Sequence, residues 1–189
     1  MKMTFRINGL DDEFIRIPAL GDGSCMFHSI LQAFNKTYID SDNREKQRIV
    51  RQVRNDLSDI LDKKIGDSVC YDQLSRGSLK TFSKYVPEAS LKNMKRALKG
   101  NDWGDYRFLE LLSNIFEIDI YVFDKDKGDL YNTGDDELFY KNRDSIIILN
   151  SSNVHFDTVG LKTKNGIRTL FDHDEPLIKK LRSKLYKGQ

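Results

Sequence analysis

The feature that most constrains the fold of this chain is a change in hydrophobic period near residue 117. Before it, apolar residues recur at helical spacing, as Phe108, Leu111 and Leu112 do. After it, the spacing shortens to that of strands, first over 118–123 and later over 145–149. A helix-rich first half followed by a strand-rich second half predicts an α+β fold.

The predicted elements follow from this period and from capping and turn residues. Helices are expected at 25–34, 42–62, 71–86, 87–100 and 106–116, with Asp42 as the N-cap of the second. Strands are expected at 13–18, 118–123, 130–132, 145–149 and 154–161, the last two joined by a tight turn over 150–153. The first helix, which carries a cysteine, can then pack against a sheet that carries a histidine.

Length and composition fit one domain. We expect a single domain over 1–189, with its core at about 14–160 and a helical tail at 174–187. The 31 basic and 29 acidic residues give a net charge of +2 with both signs interspersed, which does not favour nucleic acid as a partner. The basic run 179–187 is interpreted as a solvated helix face rather than a membrane or nucleic-acid contact.

The cysteines and the apolar runs indicate the cellular setting. Cys25 and Cys70 lie in different contexts without a CxxC pair, so no metal or cofactor is expected. Two cysteines in a chain of this size are typical of a reducing compartment such as the cytoplasm. The N-terminus lacks the apolar run of a signal peptide, and no stretch has the length to span a membrane.

Cys25 is the candidate nucleophile. It stands at the predicted start of a helix, behind a turn that contains Gly21 and Gly23. A helix N-terminus, a nearby imidazolium and partial exposure each lower the pKa of a thiol, and Cys25 has the first from its position. The glycines allow close backbone approach, and the amides of such a turn can form an oxyanion hole. On its own, a cysteine here is more often a buried structural residue.

His155 is the candidate base, and Asp157 is its partner. The two alternate on a predicted strand, so the carboxylate can bind one ring nitrogen and orient the other toward a thiol. A histidine with a purely structural role at a sheet edge would show the same pattern. His28 lies one helical turn after Cys25 and is expected to pack beside the site, whereas His173 lies in a polar turn.

Three blocks of the chain resemble the ovarian tumour (OTU) family of papain-like cysteine proteases. Residues 22–27, Asp-Gly-Ser-Cys-Met-Phe, resemble its Asp-Gly-x-Cys-x-Phe signature. Trp103-Gly104 with the helix and strand that follow resembles the central block, and residues 155–159, His-Phe-Asp-Thr-Val, resemble the histidine block. The blocks occur in the family's order and span residues 14–160. The resemblance implies a papain-like OTU fold with a small central sheet packed between helical regions.

The resemblance also implies an activity, the cysteine-dependent hydrolysis of the isopeptide or peptide bond after the C-terminal glycine of ubiquitin. Polyubiquitin chains and ubiquitin-like modifiers are the implied substrates, and no cofactor is needed. Cys25 matches the family's nucleophile, His155 its general base and Asp157 the acid that orients the base. Asp22 matches a loop aspartate that shapes the oxyanion loop and in some members belongs to the triad, so Asp157 and Asp22 compete for the third position.

The chain departs from the family pattern at four positions. Asparagine, arginine, glycine and glutamate are common where this chain has Ser24, His28, Asp105 and Phe108. The substrate preference of the family therefore does not transfer. A compact protein of this kind fits a small cellular enzyme as well as a viral or bacterial effector that acts in a host cell.

Trp103 has two interpretations. It is either a core or loop anchor, or it borders the narrow channel that admits the ubiquitin tail. That tail carries arginines followed by two glycines, so Asp102 and Asp105 are candidates for binding it.

Two other functions are compatible with the same blocks. One is an inactive ubiquitin-binding module of the same fold, against which the intact Cys25, His155 and Asp157 argue. The other is another papain-like amidase or acyl transferase, against which the Asp-Gly-x-Cys block argues.

Overall fold

The computed structural model describes the chain in seven stretches. They are residues 3–7, 9–65, 68–72, 90–100, 108–130, 141–152 and 154–187, and the structural statements below concern these residues. Most of the helix predicted at 71–86 and the loop predicted at Trp103-Gly104 lie outside them. No helix within these stretches is both long and apolar enough to cross a membrane.

The helices agree with the predicted order. Their bounds are α1 Cys25–Phe34, α2 Lys36–Asp40, α3 Asn43–Ile60, α4 Leu91–Lys99, α5 Leu109–Phe116 and α6 Pro176–Lys187. Asp42 caps α3 as predicted, because its carboxylate accepts a hydrogen bond from the Glu45 amide at 2.9 Å. The helix α4 begins later than predicted, since the Ser90 side chain is its N-cap. The short helix α2, capped by Asn35, was not predicted.

The strands form one large sheet and one small hairpin. Their bounds are β1 Met3–Phe5, β2 Phe14–Ile17, β3 Lys64–Ile65, β4 Ser68–Val69, β5 Asp119–Asp124, β6 Asp129–Leu130, β7 Ser145–Ser151, β8 His155–Thr163, β9 Gly166–Arg168 and β10 Leu170–Phe171. The large sheet has the order β1-β2-β8-β7-β5-β6, and within the described stretches β3 and β4 pair separately as a two-stranded hairpin. In addition, β9 pairs with β8, and β10 pairs with β7.

The sheet is larger than the sequence predicted. The hairpin of β7 and β8 is confirmed, with Ser151 opposite His155, but β1, β9 and β10 extend the sheet beyond 14–160. These strands are two or three residues long, so each carries too little hydrophobic pattern to be recognised. The strand β9 lies close against β8, and this accounts for the glycine at position 160. A Cβ at Gly160 would overlap the Ile167 side chain.

Helices cover both faces of the large sheet. On one face, the Thr158 hydroxyl donates to the Ser29 carbonyl of α1 at 2.7 Å. On the other, Arg182 of α6 donates to the Tyr121 hydroxyl at 3.3 Å. Through its partner on β7, Thr158 aligns with Val122 of β5, and the two side chains point to the same face. Tyr121 precedes Val122 in the strand and therefore points to the opposite face. The predicted α+β arrangement of a central sheet between helical regions is therefore confirmed.

Two helices of the described residues have well-defined inward faces. That of α3 includes a charged side chain and carries Val50, Arg54, Leu57 and Ser58, followed by Leu61. The helix α6 is amphipathic, and its buried residues are Leu177, Ile178, Leu181 and Leu185. Lys179 and Lys180 are exposed between them, as expected for a solvated basic face.

Candidate active site

Cys25 is the first residue of α1 and lies beside the strand that carries His155. The turn before it contains Gly23, whose φ of +83° is a conformation that favours glycine. The Cys25 Sγ lies 3.9 Å from the Val154 carbonyl oxygen, and the Phe156 backbone amide acts to lower the pKa of the thiol. Val154 and Phe156 flank His155 in the chain, so the thiol and the candidate base are neighbours.

The thiol of Cys25 is buried in the described structure. Its residue is 4% exposed, and this burial raises the pKa of the Cys25 thiol, as does the negative charge of Asp157. The backbone amides of Phe156, Met26 and Cys25 itself act in the opposite direction. The helix N-terminus, which favours a thiolate, is outweighed by the loss of water. In this state the nucleophile needs a base to remove its proton.

His155 and Asp157 share one face of β8. The His155 Nε2 lies 3.0 Å from Asp157 Oδ1, so the hydrogen bond predicted from their spacing is present. With Nε2 engaged, Nδ1 is the ring nitrogen that remains for a thiol. The imidazole is 30% exposed, whereas the Asp157 side chain is 0% exposed. A substrate can reach the ring, while the carboxylate is shielded from water.

Two further donors hold Asp157, and sequence reasoning missed both. Arg16 Nε donates to Asp157 Oδ2 at 2.5 Å, and the Ala19 amide donates to Oδ1 at 2.9 Å. Both come from β2 and the residues after it, which the antiparallel pairing with β8 brings to this position. The available signal was one arginine within the apolar strand 14–17, since a charge in such a strand requires a partner.

Asp22 lies in the turn before α1 and is held locally. Its Oδ1 accepts the Ser24 amide at 3.1 Å, and its two oxygens lie 3.1 and 3.0 Å from His28 Nε2. Among the described residues, no hydrogen bond joins Asp22 to His155. The carboxylate therefore braces the turn before Cys25.

His28 connects Asp22 to the protein interior. The imidazole is fully buried, and its Nδ1 lies 2.7 Å from the Tyr38 hydroxyl. Burial lowers the pKa of His28; Asp22 opposes this shift, while the positive charges of Lys46 and Arg54 add to it. The result favours a neutral ring, which donates from Nε2 to Asp22 and accepts the tyrosine proton at Nδ1.

The neighbours of Asp22 also affect its own ionisation. Burial acts to raise the pKa of Asp22, but the proximity and hydrogen bond of His28 and the Ser24 amide bring it below the usual value. The carboxylate form, which accepts hydrogen bonds only, is therefore the one that braces the turn.

Arg54 is a further residue that sequence reasoning missed. It lies on the inward face of α3 and is 4% exposed. Its guanidinium donates to the carbonyl oxygens of residues 97, 98 and 100 at the end of α4 and to the Ser24 hydroxyl, at 2.6 to 3.0 Å. Carbonyls at a helix C-terminus favour a positive charge. Arg54 therefore joins α4 to the turn before Cys25. In the sequence, the only indication of this role was a charged residue at a helix position where the spacing favours an apolar one.

Three of the four departures from the family pattern lie in or beside α1 and the turn before it. Ser24 binds Arg54, His28 binds Asp22, and the buried ring of Phe108 packs 6.3 Å from that of Phe27 on α1. The fourth departure, Asp105, lies outside the described residues together with Asp102 and Trp103. The predicted channel residues therefore stay predictions.

The described residues offer no metal-binding set at this site. The one cluster among them with suitable spacing is Asp172, His173 and Asp174, which is largely exposed and contains none of the four candidate catalytic residues. Both cysteines are free. The arrangement suits nucleophilic acyl transfer, because a thiol lies beside the strand that carries an imidazole, and Nε2 of that imidazole is held by a buried acid.

The site and the mixed sheet thus have the arrangement expected of a cysteine protease. The family model described as "OTU-like cysteine protease" matches residues 20–157, well over half of the chain. The chain belongs to this OTU family, as the resemblance of its sequence implied.

Solved structures with a similar fold come from the same family. An OTU domain in complex with ubiquitin is 19% identical, with a TM-score of 0.55 over 98% of this chain and 90% of that one. An OTU deubiquitinase from Wolbachia pipientis wMel is 17% identical, with a TM-score of 0.47 over 93% and 98% of the two chains. The Hazara virus OTU bound to ubiquitin is 18% identical, with a TM-score of 0.46 over 86% and 89%. No match is found among curated proteins.

Proposed function

We propose that this protein is a cysteine-dependent deubiquitinase that hydrolyses the isopeptide or peptide bond after the C-terminal glycine of ubiquitin. The observation that carries the proposal is the position of the Cys25 thiol between Val154 and Phe156, the two neighbours of His155. The hydrogen bond from His155 Nε2 to the buried Asp157 supports it further. The family membership and the ubiquitin complexes of similar structures suggest the substrate.

The first half of the reaction begins with removal of the thiol proton. His155 Nδ1 takes this proton as the Cys25 sulfur attacks the glycine carbonyl carbon, and the carbonyl π electrons move to the oxygen. The oxyanion collapses, the bond to the lysine nitrogen breaks, and His155 returns the proton to the leaving amine. Asp157 holds the ring in the productive orientation and stabilises the imidazolium.

The second half releases ubiquitin from the enzyme. His155 removes a proton from water, and the resulting hydroxide attacks the thioester carbon. The carbon–sulfur bond then breaks, and ubiquitin leaves as a carboxylate while Cys25 regains a proton. Backbone amides near Cys25 can stabilise both oxyanions, because the first N–H groups of a helix have no partner within it. Asp22 would support this role by fixing the turn that leads into α1.

A ubiquitin probe with a C-terminal electrophile tests the proposal directly. We expect one covalent adduct on Cys25, identified by mass spectrometry, and hydrolysis of a fluorogenic ubiquitin amide. Cys25→Ala should abolish both and still bind ubiquitin, since the side chain supplies chemistry and little contact area. Cys70→Ser is the matched control and should be labelled and active like the wild type, with or without a chelator under reducing conditions.

The possible outcomes separate the competing functions. An inactive binding module would bind ubiquitin without forming the adduct, and an unrelated amidase would neither bind nor react. Adduct formation on Cys70 alone would show that the assignment of the nucleophile is wrong. A cleavage panel of all polyubiquitin linkages, together with ubiquitin-like modifiers, would then define the substrate range.

A further inference from the structure

The Asp157 carboxylate is held by three donors from different parts of the chain. Oδ1 accepts the Ala19 amide and faces His155 Nε2, while Oδ2 accepts Arg16 Nε. The side chain is 0% exposed, so water cannot replace a missing donor. Each of the three groups therefore restricts the direction in which the carboxylate points.

The register of the sheet determines the position of Arg16. Arg16 of β2 aligns with Val159 of β8, and Asp157 is two residues before Val159 on the same face. Arg16 Nε donates to Asp157 Oδ2, and because both groups are charged this is a charge-assisted hydrogen bond. The guanidinium is 25% exposed and keeps contact with water, so this ion pair avoids the desolvation cost of two buried charges.

We infer that Arg16 is a positioning residue for the proposed reaction and acts on His155 through Asp157. By binding Oδ2, it keeps Oδ1 directed at His155 Nε2, so that the ring presents Nδ1 to the Cys25 thiol. Arg16 transfers no proton in this role. The inference rests on the proposed function, in which His155 is the base.

The expected effect is a loss of turnover without a loss of binding. In Arg16→Met the carboxylate can rotate, and small errors in the direction of a catalytic group are costly, so kcat should fall about tenfold to a hundredfold. KM should stay within about twofold, because the lost interaction acts only on the base. Arg16→Lys, which keeps a positive charge and one donor, should recover part of the loss.

Arg143 provides a matched control in the same sheet. Its Nε lies 2.9 Å from Oδ1 of Asp119, a carboxylate that is also 0% exposed and begins β5, two strands away from β8. Arg143→Met also removes a guanidinium from a buried acid. We expect it to lower the melting temperature but to leave kcat per folded molecule unchanged.

A double-mutant cycle tests whether Arg16 acts through Asp157. In the Asp157→Asn background, Arg16→Met should reduce kcat by less than about twofold, because the two changes remove the same function. An equal loss in both backgrounds would overturn the inference, as would wild-type kcat in a folded Arg16→Met variant.

An NMR measurement decides the matter independently of activity. The chain has three histidines, so the ¹⁵N resonances of the His155 ring can be assigned in histidine-labelled protein. At alkaline pH the wild type should show mainly the Nε2–H tautomer, and Arg16→Met a mixture. An unchanged tautomer in folded Arg16→Met contradicts the inference, and Arg16→Lys serves for the same comparison if the methionine variant does not fold. If the wild type does not hydrolyse ubiquitin, the proposed function fails, while the tautomer still tests Arg16.

Discussion

The two acids near Cys25 are held in opposite ways. Asp157 is 0% exposed, and Arg16 and Ala19 reach it across 141 and 138 residues of sequence. Asp22 is 29% exposed, and its partners are two and six residues away. Tertiary structure therefore fixes the direction of Asp157, whereas a local turn fixes Asp22. In the proposed mechanism, this difference assigns Asp157 to the base and Asp22 to the loop before the nucleophile.

The largest expected effect comes from removing Asp157. Asp157→Ala should lower kcat about a thousandfold or more, the order of magnitude seen when the acid of a catalytic triad is replaced. Asp157→Asn should have a smaller effect, because it keeps one acceptor for the ring. Hydrolysis of a fluorogenic ubiquitin amide measures the loss, and alkylation of Cys25 by iodoacetamide in a Cys70→Ser background should slow as well. A loss below about fivefold would remove Asp157 from the site.

A smaller and different effect is expected from Asp22. Asp22→Ala should lower kcat about tenfold to a hundredfold, because a displaced turn weakens oxyanion stabilisation without removing it. Alkylation of Cys25 should keep its wild-type rate, since the thiol and His155 are unchanged. If instead Asp22→Ala slows alkylation and Asp157→Ala does not, the two acids exchange roles.

The buried partner of Asp22 should make the stability depend on pH. The folded-state pKa of His28 lies below its ordinary value. At a pH between these two pKa values, the unfolded chain therefore binds a proton that the folded protein does not. The stability therefore falls as pH drops below about 6.5. The Asp22 carboxylate, whose pKa is lowered, loses its contribution to the stability of the folded protein only in much stronger acid.

Urea unfolding measures this dependence on pH. Between about pH 7.5 and about pH 5.5 we expect the unfolding free energy to fall by on the order of 1 kcal/mol, and His28→Gln should flatten the decline. His173→Gln is the control and should retain it, since that ring is 37% exposed. A wild-type slope in His28→Gln would mean that another group is responsible.

The smallest effect on turnover is expected at the buried end of the chain of hydrogen bonds that runs from Asp22 through His28 to Tyr38. Tyr38→Phe leaves His28 Nδ1 without its donor at 2.7 Å, which should cost about 1 to 2 kcal/mol of unfolding free energy. Turnover should change by less than about twofold, because Asp22 keeps its hydrogen bonds to the Ser24 amide and to His28. Thermal unfolding and steady-state kinetics test the two statements, and a large loss of turnover would show that the Asp22 turn depends on Tyr38.

Local patterns made part of this structure predictable. The bounds of α1, the hairpin of β7 and β8, the Asp42 cap and the contact between His155 and Asp157 all depend on residues close in sequence. Periodicity and capping report such relations directly. The family blocks then identified the four candidate catalytic residues.

The remaining features depend on contacts between distant segments. The charge of Arg16 within an apolar strand is explained only by the pairing of β2 with β8. The buried charge of Arg54 is explained only by the carbonyl oxygens at the end of α4. The parallel pairing of β5 with β7 follows no local signal in either strand. The burial of Cys25, which raises the pKa of its thiol, depends on how closely α1 packs against β8.

The pairing of β2 with β8 has a consequence for protein synthesis. It joins residues 14–17 to residues 158–161, so the two halves of the candidate site leave the ribosome far apart in time. The nascent polypeptide carries Cys25 from the start, but no imidazole from β8 can reach the thiol until most of the chain has been translated. Incomplete translation products that end before His155 should therefore lack the proposed activity.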